Sequence, residues 1–391
     1  MNTNILYILS SFLTNREKSI LNTMNNYQFQ LKKYNSNKQK YKEDDIINIK
    51  DIKNQDIIEI SKLGNWYSIT KVKKNKNNFI LKGASLGGHL DIVKYVESKG
   101  ANNWYESLKY SSEGGHLDIV KYAESKGAND WNQALISASE GGHLDIVKYA
   151  ESKGANNWNE VLRGASLGGY FDIVKYAESK GANNWNLALS EASRGGHFDI
   201  VKYAESKEKL LNIYLDWNVA GNYASLYGHF NIVKYAESKG YKNWDMCIMY
   251  ASKGGHLDIV KYAENKAKIL GINLNWNDAL YNASLEGHFD IVNYSESKGA
   301  NNWNDSLAQA SLGGHFDIVK YGENKAKILG INLNWNEYFE NASLGGHLDI
   351  VKYAENKAKI LGIDLNWKKA LNHASYKNHF DVINYIKQNY K

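Results

Sequence analysis

Histidine is the first residue type in this chain that invites a chemical reading. It follows glycine at His89, His116, His143, His197, His229, His256, His288, His315 and His347, and follows asparagine at His379. Imidazole is a good zinc ligand, but zinc draws its ligand atoms to within about 2.1 Å of one ion. One histidine per repeated segment, on helices packed about 8–10 Å apart, cannot converge in that way. These side chains are expected to build turns, and His373, outside the register, is just as isolated. The Gly-Gly pairs could place backbone N–H groups around an anion at a helix N-terminus. They lack the Gly-x-x-x-x-Gly-Lys spacing, and an Asp three residues on, such as Asp145 after Gly142, would repel phosphate. Asp and Glu recur too evenly to form one acid–base pair. Cys247, the single cysteine, stands where many copies carry Ala, so a buried inert thiol is expected. Ladders of Trp and Tyr could stack bases, yet a Trp at a fixed place in a helical stripe reads as core. No catalytic residue, no metal ligand and no cofactor is expected, and no enzyme.

These residues recur because the elements that carry them recur. Trp104, Trp131, Trp158, Trp185, Trp217, Trp244, Trp276, Trp303, Trp335 and Trp367 mark steps of 27 or 32 residues. One 27-residue unit, "WNQALISASEGGHLDIVKYAESKGANN", runs from Trp131 to Asn157. Trp131, Ala134, Leu135 and Ala138 follow the i, i+3, i+4, i+7 pattern of a short helix, helix A. Asn157 followed by Glu160 resembles a capping box, as do Asn103/Glu106 and Asn334/Glu337. The Gly141-Gly142 pair breaks the chain, since Gly adopts the left-handed conformation at little cost. Helix B, "HLDIVKYAESK", follows, with Leu144, Val147 and Ala150 on one face and Asp145 in the first turn. Neither helix is stable alone at about ten residues, so each must bury its stripe on the next copy. The expectation is an all-α, one-dimensional helix-turn-helix solenoid. In the longer units, beginning at Trp185, Trp244, Trp303 and Trp335, "NKAKILGINLNW" replaces "SKGANNW", which lengthens helix B by about a turn and a half.

The ends differ from the body. Residues 1–35 form a helical N-terminal segment in this reading, 36–50 a polar linker, and 51–76 a degenerate first repeat with Gly64 at the break. Ten repeats fill 77–366, and residues 367–391 form a more polar capping repeat. The formal charge is +6, with +7 before Asn77 and −1 after it. A long near-neutral body is not the footprint of a nucleic-acid groove. "KVKKNKNN", Lys71 to Asn78, reads as a solvated basic loop. No apolar run approaches ~20 residues, so no membrane span is expected. The first residues lack a basic region and a cleavage site, which argues against a secretory signal. One cysteine suits a reducing compartment.

The recurring "ASEGGHLDIVKYAESKGAN" resembles the second half of an ankyrin repeat, in the Ala before the turn, the Gly-His, the Ile-Val-Lys helix and the closing Gly-Ala-Asn. The resemblance spans 77–391, and the Asn/Lys/Ile-rich wording is similar to the ankyrin-repeat proteins of giant DNA viruses such as mimiviruses. It implies helical pairs in an ankyrin-like solenoid. The units are short of the ankyrin period of about 33 and lack Thr-Pro-Leu-His, so the β-hairpin fingers are expected to be mostly missing. Trp is then expected to fill the volume left by small Ala, and Trp158→Ala to cost about 3–5 kcal/mol. "NILYILSSFLTNREKSILNTMNNYQFQLKKY", residues 4–34, is similar to a degenerate F-box without its Leu-Pro pair. That resemblance implies docking to Skp1 and a cullin ubiquitin ligase; the alternative is a plain helical cap.

Function is expected where the copies disagree. Helix B is nearly constant, whereas helix A changes at its third, sixth, seventh and tenth positions. The candidate partner-binding residues are Glu106, Lys109, Tyr110, Gln133, Ile136, Arg163, Leu187, Arg194, Tyr223, Met246, Met249, Tyr250, Tyr281, Gln309, Glu340 and His373. Neutral drift of exposed residues is the competing explanation. The reading is a non-enzymatic protein-interaction scaffold, monomeric, with an unknown protein partner, a host protein if the chain is viral. Membrane and nucleic acid are set aside as partners, the latter kept only as a weak alternative through the basic N-terminal region. The expected location is the cytoplasm, of the host if viral.

Overall fold

The computed structural model describes residues 54–72 and 74–390, and every regular element among them is helical. The expected N-terminal helical segment and linker lie outside the described residues. The chain divides into two compact units, Met1–Ala84 with Asp91–Asn102, and Ser85–Leu90 with Asn103–Lys391. In the first, helices Asn54–Lys62 and Trp66–Lys71 are joined through Gly64 at φ +67°, and Ile57, Ile58 and Ile69 are buried. The Trp66 Nε1–H donates to the Asp91 carboxylate at 3.1 Å, and the Trp66 ring meets Tyr95 edge-on.

The second unit is a run of helical pairs. Helix A of one pair, Trp131–Gly141, begins where the Asp130 carboxylate accepts the Gln133 N–H at 3.1 Å, a side-chain cap for an otherwise orphaned donor. Asn103 and Asn334 accept the Glu106 and Glu337 N–H groups as the sequence suggests, but Asn157 makes no such bond. The helix stops at Gly142, φ +85°, whose N–H returns to the Ala138 carbonyl. Helix B, Leu144–Ser152, starts two residues later, after His143 as its N-cap. Its buried stripe is Ile146, Val147 and Ala150, with Leu144 only half-buried.

Four second helices are longer: Phe198–Leu211, Leu257–Leu270, Phe316–Ile328 and Leu348–Leu361. The extension is about a turn and a half, as expected for a helix of 14 residues against one of 9. Buried Ala267, Ala326 and Ala358 show that the extra turn closes over the unit's open end. That corrects the reading of tryptophan as uniform filler. In the long units Trp185, Trp244, Trp303 and Trp335 are at most 3% exposed, whereas in the short units Trp104, Trp131, Trp158 and Trp276 are half-buried and Trp217 alone of those described is buried, at 6%.

Two ladders tie neighbouring pairs together. The His143 Nε2 lies 3.1 Å from the Glu113 carbonyl of the preceding helix A, and His116, His197, His229, His256, His288, His315, His347 and His379 repeat the arrangement. A carbonyl only accepts, so Nε2 carries the proton at this bond. The bond satisfies one of the last carbonyls of a helix, which have no partner within it. Both glycines leave room for these rings: a Cβ on Gly115 would overlap His143, and one on Gly141 would strike the Glu113 carbonyl and the His143 ring. The second ladder joins helices B. The Glu151 carboxylate accepts the Tyr176 hydroxyl at 2.5 Å and pairs with Lys180 at 2.5 Å, both from the next pair. Glu124, Glu178, Glu205, Glu237, Glu264, Glu296 and Glu323 do the same with the Tyr and Lys that follow them.

Candidate binding surface

Residue size decides which helices pack closest in the second unit. The late positions of helix A are Ala and Ser, buried at Ala138, Ser139, Ala192, Ser193, Ala342 and Ser343. The Ser139 and Ser343 hydroxyls bond back along the helix, Ser343 Oγ to the Phe339 carbonyl at 2.7 Å, whereas the buried Ser193 hydroxyl has no hydrogen-bond partner; all of them add little bulk. Successive helices A therefore approach closely. Successive helices B are held apart by aromatic rings, such as Phe198 edge-on to Tyr235 with centroids 5.0 Å apart. The helix A row is thus the tighter one, and on its outward face side chains of successive units come together.

The sequence-predicted residues line this face, with one exception. Glu106, Lys109 and Tyr110 sit together on Trp104–Gly114, half-buried, with the Lys109 ammonium 5.4 Å from the Tyr110 ring. On the next helix Gln133 donates to Ser137 Oγ at 3.2 Å, beside Ile136. Arg163 ties two units, donating to Glu160 on its own helix at 2.8 Å and to Glu140 on the preceding one at 2.7 Å. Leu187 follows, and Arg194 lies 5.3 Å from the Tyr227 ring of the next unit. Tyr223, then Met246, Met249 and Tyr250, then Tyr281 occupy three consecutive layers, with Tyr223 and Tyr281 exposed. Gln309 is half-buried. The exception is Glu340, which is buried: it pairs with Lys369 at 2.7 Å and accepts the Asn336 amide at 3.3 Å. It joins two units rather than facing outward. His373 turns Nδ1 to the Glu340 carbonyl at 3.4 Å.

Tyr227, 42% exposed and partnered with Arg194, belongs to this surface and is missing from the sequence reading. It stands where most copies carry the first Gly of the pair, a substitution visible in the sequence but at a position that looks purely structural.

The chemistry-bearing residues sit as scaffolding. No group of three or more His, Cys, Asp or Glu among the described residues could hold a metal ion. Cys247 is fully buried beside Ser225 Oγ at 3.2 Å, and burial pushes its thiol up to about 11, which keeps it protonated and unreactive. Burial also holds His256 and His347 below the ordinary histidine value. Lys180 and Tyr176, bonded to the Glu151 carboxylate, hold it below its ordinary value, while Glu151 holds Tyr176 above its own.

No protein-family model matches the chain, and no curated protein matches it. Among solved structures it is similar to the pentatricopeptide repeat protein PPR10 in complex with an 18-nt psaJ RNA element, at 10% identity and a TM-score of 0.34, over 86% of this chain and 58% of that one. A variant of the same complex gives the same figures. PPR10 from maize matches at 10% identity and a TM-score of 0.30, over 97% of this chain and 79% of that one. The chain spans about 58% of the length of the first two, and scores of this size leave the shared trait at the level of a helical repeat array. The expectation against a nucleic-acid partner does not stand on charge alone; the RNA in two of the matched structures is a property of those proteins. Helical repeats can read one base each through two or three side chains, a mode that net charge by itself does not rule out.

Proposed function

We propose that the array is a non-catalytic recognition scaffold that holds an extended polypeptide along its helix A face. The observation that carries this reading is the contrast within each unit. Packing and the two ladders fix helix B, the turn and the buried half of helix A, while the outward helix A positions differ from unit to unit. Tyr223, Met246, Met249, Tyr250 and Tyr281 are the proposed anchors, because aromatic and flexible apolar side chains dominate interface energetics. Arg163 and Arg194, already held by neighbours, are proposed to set register rather than affinity.

Single-stranded RNA is the second reading. It rests on Tyr223, Tyr250 and Tyr281, which come one per layer and can each stack a base. Affinity capture with the full chain separates the two. The polypeptide reading expects captured partners that survive ribonuclease and are lost from a Tyr223→Ala/Met249→Ala/Tyr250→Ala/Tyr281→Ala variant with unchanged melting. Ribonuclease-sensitive capture supports RNA. Capture unaffected by the four substitutions overturns both.

We hold the units to be shortened ankyrin-like repeats on their sequence resemblance. The F-box-like segment, residues 1–35, is a separate proposal: the intact chain should recover Skp1 or a cullin, and deletion of 1–35 should abolish recovery.

A further inference from the structure

The long units carry a feature that neither packing nor the helix A face uses. At the end of each extended helix B an apolar pair stands in solvent. Leu210, Ile269, Ile328 and Ile360 are 72%, 70%, 78% and 69% exposed, and each is followed by a Leu about half exposed. The turn itself needs only the next apolar residue: the Ile272 N–H returns to the Ala267 carbonyl at 2.9 Å, and Ile272 packs on the core. Exposed, repeated apolar pairs at one equivalent position mark an interaction edge.

A lysine precedes every pair. Lys268 and Lys327 are exposed and form none of the inter-unit ion pairs, which use Lys266 and Lys325 instead. Segments 265–275 and 324–334 contain two lysines each and no acid. At the first ledge Lys209 is offset by Glu208, whose carboxylate faces the Leu215 N–H, and by the capping Asp216; at the fourth, Lys359 is accompanied by exposed Asp364. Lys209 and Lys268 also feel Glu205 and Glu264 one turn back, which are already paired with Lys239 and Lys298. The two middle ledges are therefore apolar tips with basic shoulders, and they call for a partner that is apolar inside and anionic outside.

We propose that this edge docks on an anionic lipid surface. The ledges come two units apart, two units apart and then one unit apart, with Gly-rich turns between them. A folded partner would need pockets in that uneven spacing. A bilayer accepts each tip wherever it falls, taking the Ile-Leu pair into the acyl boundary and the lysine among the headgroups. The edge lies at the Trp end of the units and leaves the helix A face free, so the proposal stands apart from the function above. It also qualifies the sequence expectation of no membrane partner: among the described residues no helix is long and apolar enough to cross a membrane, and the edge needs none.

Vesicle flotation with the full chain tests it. Vesicles of phosphatidylcholine with roughly a third phosphatidylserine should carry the protein, vesicles of phosphatidylcholine alone should carry about tenfold less, and added salt should release it. The Ile269→Asn/Leu270→Gln/Ile328→Asn/Leu329→Gln variant changes only exposed side chains and should lose flotation by about tenfold or more with unchanged melting. Lys268→Glu/Lys327→Glu should do the same. The Tyr223/Met249/Tyr250/Tyr281 variant should float normally. Absence of flotation with anionic vesicles, or equal flotation of the apolar variant, overturns the proposal. So does a vesicle-free result in which the apolar substitutions dissolve a dimer seen by sedimentation, because the ledges would then join two copies of the chain.

Discussion

The bond from each histidine to the preceding helix explains why a residue suited to catalysis is spent on a turn. His143→Ala would leave the Glu113 carbonyl without its partner, and the expected cost is about 1–3 kcal/mol in urea unfolding followed by circular dichroism. Burial lowers the values of His256 and His347, outweighing the carbonyl bond, which by itself favours the charged ring. Their contribution is complete above the unfolded histidine value of about 6.5 and is lost as pH falls through the lower folded value. Melting temperature should therefore drop between neutral pH and about 5, and a His256→Gln/His347→Gln variant should show a smaller drop. Tryptophan behaves by position. Trp185→Ala is expected to cost about 3–5 kcal/mol, while Trp158→Ala should fall below that range, because Trp158 keeps part of its surface in water in the native state. Equal losses for the two would refute the idea that the longer helix B seals its own tryptophan.

Between elements, variation is compensated rather than tolerated. Helix A carries Leu or another large apolar residue at its fifth position, except at Gly221, where the Tyr241 ring from the following loop fills the space. Tyr241 is buried, its hydroxyl reaches Asn222 at 2.9 Å, and other short units have Ala in its place. Gly221→Leu should overpack this contact and cost about 1–3 kcal/mol. Adding Tyr241→Ala should recover much of that loss in a double-mutant cycle, whereas additive losses would sink the pairing. The Tyr–Glu–Lys ladder belongs to the same scale. Its pairs are partly exposed, so each Glu is worth on the order of 1 kcal/mol or less. Held below its ordinary value, Glu151 contributes stability above the unfolded Glu value of about 4.3, lost as pH falls through the folded value. Glu151→Gln should shrink the acid-induced loss of stability below pH ~4.3 and leave melting at pH 7 lowered by no more than the same small amount.

Across the second unit each helical pair touches only its neighbours, so stability should follow a nearest-neighbour sum. Hydrogen exchange should then show the greatest protection in the middle pairs, such as Phe230–Ser238 and Leu257–Leu270, and progressively less toward Phe380–Asn389. Uniform protection to the last helix would contradict a one-dimensional stack. Two surfaces of the second unit carry the functional readings, the outward helix A face and the edge of apolar tips: one is a helix face, the other a row of helix ends.

The sequence by itself determined the all-helical array, its 27- and 32-residue steps, the helix starts at Trp, the breaks at Gly and the extra turn and a half of the long units. Periodicity and turn chemistry act within a few residues, so they are legible in the string. It also marked the varied helix A positions, because copies can be compared along one chain. What only the tertiary structure decided lies between copies. His143 meets Glu113 thirty residues earlier, Tyr176 and Lys180 meet Glu151 across a unit boundary, and Glu340 is buried by Lys369. No local pattern encodes which neighbour a side chain reaches. The same holds for Ile269 and Leu270, which look like core in the string and stand in water because the stack ends one turn before them.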